Sequence, residues 1–390
     1  MSYTFFQEYW WFLISVLGAL LVFLLFVQGG QSLFFSLGSD KTDRKLLVNS
    51  VGRKWEFTFT MLVVFGGAFF ASFPMFYATS FGGAYWVWML ILFCFIIQAV
   101  SYEYQSKHGN IWGSKTYQVC LFINGLLAPI LLGTAVSTFF TGANFSINRE
   151  AIFDLDGTSQ VVSQWMTYKG LQLYGLEAVL NPWNVVFGIA IFFLSRTSAL
   201  LYFINNIEDV DLDRNARRRL AWNAAAFLLF FLPYLSYLLT KEGFALNPET
   251  SEIFMQPYKY FHNLIEMPLV LVTMLVGVVL VLTGILMTLL KPNFKKGIWF
   301  EGVGVILTAL ALFLIAGWNN TAYYPTLADG HLQESLTIYN SSSSFFTLKT
   351  MSYVSLLVPF VAAYMIYAWR ALDLHKITKR EMEDPHGHNY

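Results

Sequence analysis

A chain of 390 residues that is 56% hydrophobic, 18% aromatic and only 12% charged, with a mean hydropathy of +0.53, carries more apolar surface than soluble domains could bury. Its 24 basic and 24 acidic residues cancel, and no basic stripe interleaved with aromatics stands out, so nucleic acid is set aside as a partner. Cys94 and Cys120 sit in separate apolar runs without Cys-x-x-Cys spacing, which argues against a disulfide framework or a zinc site and reads both as small core residues.

The first nine residues hold no Lys or Arg and no small-residue cleavage site follows, so the first apolar run reads as a retained span, not a removed signal peptide. A spanning helix needs about 20 mostly apolar residues to cross a hydrocarbon core roughly 30 Å thick. Nine stretches qualify: residues 10–38, 57–77, 85–101, 119–140, 183–205, 221–240, 268–290, 298–318 and 351–372. The expected fold class is therefore an all-α integral membrane protein with nine transmembrane helices. We divide it into an N-terminal membrane bundle with its outer loop (1–175, spans 1–4), C-terminal membrane helices (176–372, spans 5–9) and a cytoplasmic tail (373–390).

Basic residues alternate between connections. Lys41, Arg44, Lys45, Arg53 and Lys54 follow span 1; Lys107 and Lys115 follow span 3; Arg214, Arg217, Arg218 and Arg219 follow span 5. Lys291, Lys295 and Lys296 follow span 7, and Arg370, Lys376, Lys379 and Arg380 follow span 9. The other connections hold only Arg149, Lys169, Lys241, Lys259 and Lys349. Because cytoplasmic loops retain Lys and Arg, the N-terminus is expected outside and the C-terminus inside. The longest connections, 141–182 and 319–350, then lie outside, and their polar composition suggests small ordered caps.

Few polar groups enter the spans. Glu56 stands at the inner start of span 2, just past Arg53, Lys54 and Trp55; it is a candidate proton inlet, or simply an anion at a helix N-terminus. Gln28 and Gln31 on span 1 share one helical face and form a candidate polar relay, or only satisfy a helix contact that Gly29 and Gly30 make close. Arg196, the basic residue inside a span, either snorkels to the inner face or meets a buried acid. Glu301 repeats the position of Glu56 in the short echo between residues 54–56 and 296–301. His108, His262, His331, His375, His386 and His388 all fall in loops or the tail, whereas a membrane haem needs axial ligands on inward helix faces, so no haem or metal is expected in this chain. A secondary transporter, or a membrane scaffold or assembly protein, is the alternative reading of such a bundle; no pair of broken helices with converging polar groups supports the transporter.

Residues 47–107, which read LVNSVGRKWEFTFTMLVVFGGAFFASFPMFYATSFGGAYWVW and end in SYEYQSK, resemble subunit II of the cytochrome bd-type quinol oxidases. There the family shows a Trp followed by an acid, a Gly-Gly-Ala run, an aromatic-Pro-x-x-Tyr-Ala segment and a Phe-[DE]-aromatic ending. Residues 336–351, LTIYNSSSSFFTLKTM, are similar to the segment before the family's last helix. The resemblance implies two four-helix bundles plus one extra helix, without haem, beside a larger subunit I that binds b and d haems, oxidises quinol and reduces oxygen to water. It also implies a bacterial cytoplasmic membrane and gives the acid after Trp, here Glu56, the proton-inlet role; membrane lipid, or a quinone lodged in a groove, is a further partner it leaves open. Gln28-Gly29-Gly30-Gln31 and Glu56-Phe57-Thr58 replace more acidic or polar family segments, and Gln98 and Gln105 stand where arginines are often found.

Overall fold

The computed structural model describes residues 2–107, 109–149, 151 and 162–379; His108, Arg380, His386, His388 and the tail beyond residue 379 lie outside them. Among the described residues nine helices are long and apolar enough to cross a membrane: Tyr3–Gln31, Lys41–Ser72, Tyr85–Tyr104, Ser114–Thr141, Pro182–Asn206, Val210–Thr240, Pro268–Leu290, Gly297–Gly317 and Phe345–Leu372, numbered here spans 1 to 9. Burial separates them by role. Spans 1, 5 and 8 have 67%, 72% and 61% of their most apolar window buried, against 6% in span 9, so the first three form the axis of the molecule and the last lies on its rim.

Helix starts follow local chemistry. Asp40, Asn181, Asp209 and Ser344 each accept a backbone N–H from the first turn of the helix they precede, and Pro182 and Pro268 open spans 5 and 7, where a missing N–H costs nothing. Two of the boundaries that differ from expectation bear on the site. Span 1 is helical from Tyr3 to Gln31 with an irregularity at Leu25, so Gln28 and Gln31 close the helix. The basic segment before Trp55 forms its own helix, Lys41–Gly52, before the apolar helix Trp55–Ser72. A π-helix, Tyr77–Gly83, joins spans 2 and 3 and stacks Phe81 on Trp88 at 3.9 Å.

The long connections carry three antiparallel two-stranded ribbons: Phe145–Ile147 with Ser163–Trp165, Gly243–Leu246 with Ile253–Gln256, and Ala322–Tyr324 with Leu336–Thr337. Bridges from Ala143 to Thr326 and from Ala245 to Thr321 join them into one cap. Beneath it Trp11, Phe69, Phe73, Phe76, Phe139 and Tyr323 pack ring against ring, with Trp11 and Tyr323 centred 4.5 Å apart. This is the loop-rich face. The opposite, basic face is made of short connections, the helix Lys41–Gly52 and the ends of spans.

Candidate functional site

Toward the basic face, spans 1, 3 and 4 converge on a fully buried set of uncharged polar side chains. Gln28 and Gln31 lie one helical turn apart, as do Gln98 and Tyr102 on span 3, and Asn124 faces them from span 4. The Gln98 carbonyl Oε1 accepts from Gln28 Nε2 and Gln31 Nε2 at 2.8 Å each and from Asn124 Nδ2 at 2.7 Å. Asn124 Nδ2 also donates to Gln31 Oε1 at 2.6 Å, and Gln31 Nε2 to the Tyr102 hydroxyl at 3.1 Å. Gln28 Oε1, Gln98 Nε2 and Asn124 Oδ1 are buried with no protein partner, so the cluster retains capacity for further hydrogen bonds. Glycine makes the convergence possible. A Cβ on Gly125 would lie 2.4 Å from the Gln28 carbonyl oxygen, and one on Gly29 would lie 2.0 Å from that of Ser195 on span 5.

Glu56 does not join this cluster. It occupies the first turn of Trp55–Ser72 with its side chain exposed on the helix exterior. Its neighbours face inward: Trp55 stacks on Tyr102 with centroids 6.0 Å apart, and the buried Thr58 hydroxyl donates to the Leu24 carbonyl at 3.0 Å. Sequence reading placed Gln28 and Gln31 at a site, noted Gln98 only as a replacement for a family arginine, and missed Tyr102 and Asn124, whose signal was polar residues at helical spacing inside apolar spans. Arg196 meets neither expected fate in full: half-buried, it donates from Nε to Asn223 Oδ1 of span 6 at 2.8 Å and lies over the Phe192 ring. Glu103 pairs with Lys107 at 3.0 Å, an exposed contact one turn along. Cys94 is buried on span 3 and Cys120 is half-buried on span 4.

At the basic face itself the segment after span 9 folds back as a clamp. Lys54, fully buried, pairs with Asp373 at 3.0 Å, donates to the Trp369 carbonyl at 3.3 Å and lies 4.5 Å from the Trp369 ring centre. Asp373 Oδ1 also accepts from Tyr202 and from Asn206 Nδ2, whose Oδ1 in turn accepts the Ser50 hydroxyl. Ile377 exchanges backbone hydrogen bonds with Asn206 and Glu208. Lys379 then bridges Asp43 at 3.1 Å and Asp209 at 3.0 Å. Hydrogen bonds to Asp209 and Asp43 hold the Lys379 ammonium above its usual range. Burial alone would raise the Asp209 carboxyl, but the Leu212 amide and Lys379 hold it below the ordinary range.

The model of the family described as cytochrome bd terminal oxidase subunit II matches residues 6–372, nearly the whole chain. The chain belongs to that family. Cytochrome bd-I ubiquinol oxidase subunit 2 of Escherichia coli strain K12 is 25% identical over 401 residues, covering 98% of each chain. Cytochrome bd ubiquinol oxidase subunit 2 of Bacillus subtilis strain 168 is 23% identical over 372 residues, 93% of this chain and 94% of that one. A chain in the structure of bd oxidase from Geobacillus thermodenitrificans superposes with a TM-score of 0.58 at 14% identity, covering 96% of this chain and 99% of its own length, which supports the shared fold.

As subunit II of a cytochrome complex, the chain invites a test for haem, and its described histidines offer no axial ligand inside the spans. His262 and His375 are exposed outside the spans, and His331 Nδ1 lies 2.6 Å from Glu334 Oε1 in the cap. Among the described residues no three His, Cys, Asp or Glu side chains converge as a metal site requires.

Proposed function

We propose that this chain is the haem-free half of a quinol:oxygen oxidoreductase in a bacterial cytoplasmic membrane, seated beside a larger subunit I. That partner carries the b and d haems, oxidises quinol near the outer face and reduces oxygen to water with cytoplasmic protons. The N-terminus and the ribbon cap face outward and the clamp faces the cytoplasm, because the basic residues gather at the clamp's end. The nine spans divide near residue 175 into two four-helix bundles with span 9 as the extra helix.

The observation that carries a proton-handling role is the buried amide cluster. Amides do not titrate, so Gln28 and Gln31, with Gln98, Tyr102 and Asn124, act as donors and acceptors along a route, and Glu56 at the surface is its collecting acid. A cavity of about 320 Å³ between the spans, lined by Leu21, Phe65, Leu132, Phe231, Val281 and Phe313 among others, suits a lipid acyl chain or the isoprenoid tail of a quinone. The test is spectroscopic: the chain purified without partners should show no stoichiometric haem absorbance, and the complex with subunit I should show b-type and d-type bands. A haem bound one to one by the isolated chain would overturn the division of labour.

A further inference from the structure

Glu301 lies in the second turn of span 8 and is fully buried. Its Oε1 accepts the Ser198 hydroxyl of span 5 at 2.5 Å. Its Oε2 is buried without a hydrogen-bond partner, and among the described residues no basic side chain forms an ion pair with it. The position is enforced by close packing. A Cβ on Gly284 of span 7 would lie 2.7 Å from the Glu301 backbone nitrogen, and one on Gly302 would lie 2.4 Å from the Phe23 ring of span 1. The carboxyl is thus enclosed by spans 1, 5, 7 and 8, in contrast to Glu56 at the matching place in the sequence echo.

A carboxylate enclosed in a membrane bundle with one hydroxyl donor and no cation is held at high cost, whereas a carboxylic acid can accept from Ser198 and donate from its second oxygen. Polar groups lie on the neighbouring spans toward the basic face. Thr288 of span 7 donates to the Gly284 carbonyl at 2.7 Å, and Asn205 of span 5 donates to the Lys295 carbonyl at 3.0 Å. Arg217 of span 6 donates to the carbonyls of Thr288 and Phe294 and pairs with Asp213 at 2.9 Å. Asp213 Oδ1 is itself buried without a hydrogen-bond partner. Phe23 of span 1 packs against Gly302, beside Glu301.

We propose that Glu301 is a proton-holding site of the membrane interior, which takes a proton from water at the basic face past Asp213, Thr288 and Asn205 and releases it during turnover of the oxidase. An O–H bond forms on the carboxyl and breaks again as the proton passes back to water; no electron moves. The inference rests on the proposed oxidase function. It gives the C-terminal spans a proton site independent of the amide cluster and of Glu56.

The assembled wild-type complex, Glu301→Gln and Ser198→Ala are to be compared by reduced-minus-oxidised infrared spectroscopy together with oxygen consumption. The wild type should show a carboxylic-acid C=O band that Glu301→Gln abolishes and that Ser198→Ala moves to higher frequency, because one hydrogen bond to the group is gone. Glu301→Gln should slow oxygen consumption several-fold at unchanged haem content. Spectra that are identical across the three proteins, or full turnover in assembled Glu301→Gln, overturn the proposal. Should Glu301→Gln fail to assemble, the Ser198→Ala shift decides alone, and an unmoved band overturns it. Absence of haem from the wild-type complex would instead remove the oxidase reading itself.

Discussion

Glu56 and the cluster around Gln98 pose the proton question at the scale of single residues. If the exposed carboxylate collects cytoplasmic protons, Glu56→Gln slows oxygen consumption and proton uptake while leaving assembly and haem content intact. Glu56→Asp keeps part of the rate, since misplacement by about 1 Å can cost roughly 100-fold. If Glu56 is only a helix-start anion, the loss is about 0.3–1 kcal/mol of stability with turnover unchanged. At the opposite face, burial pushes the Lys241 ammonium down to about 8, with the rings of Tyr237, Phe244 and Tyr260 around it and its Nζ donating to the Phe140 carbonyl. A lysine depressed on folding destabilises the fold while protonated, so this penalty should lift as pH rises from about 8 toward its ordinary 10.5. Wild type should therefore gain in Tm over that window relative to Lys241→Met, and parallel Tm profiles would remove the effect. Gln28 and Gln31 were legible because two amides one turn apart break an apolar run. Gln98 and Asn124 were not, because a lone amide in a span reveals nothing until the facing span is known.

Elements were legible where hydropathy is decisive and blurred where polar ends merge with apolar middles. Spans 3, 4, 5, 7 and 8 lie within about five residues of their expected limits, and span 6 starts eleven residues early, at Val210, because the charged turns before residue 221 belong to the same helix; span 1 ends at Gln31, short of the expected residue 38, because Phe34–Leu37 continues the apolar composition in a separate turn. Span 9 begins at Phe345, six residues early, because the Ser344 cap starts a helix whose apolar run is interrupted by Thr347, Lys349 and Thr350. The ribbons were invisible, being strands of two to four residues whose pairing is set by the cap as a whole. Orientation is testable at this scale. In intact cells an impermeant thiol reagent should label Thr250→Cys, in the ribbon turn of the loop-rich face, and spare Asn293→Cys between spans 7 and 8. The reverse pattern would invert the topology.

The number of spans and the charge bias belong to the whole molecule and are carried by the sequence. The clamp is not: Lys54 and Asp373 are more than 300 residues apart, and each alone reads as an ordinary loop charge. Removing one partner of a buried pair leaves an uncompensated ion, so Asp373→Asn should cost about 3–5 kcal/mol, read as a large fall in Tm or loss of the assembled complex. Lys54→Met with Asp373→Asn should recover part of it. An Asp373→Asn protein as stable as wild type would show that the pair adds nothing.

The clamp also bears on biosynthesis. Asp373 and Lys379 follow span 9, so Asp43 and Asp209 face the same spot without their shared counter-ion, and Lys54 lacks its acid, until all nine spans have left the ribosome. Domains generally settle as the chain emerges, N-terminal parts first, yet here the earliest spans cannot complete their charge pairing until the segment after span 9 has been made. A product truncated before residue 373 would reach the membrane with its apolar spans inserted but Lys54 without its acid, a form distinguishable from the full chain before it ever meets another subunit.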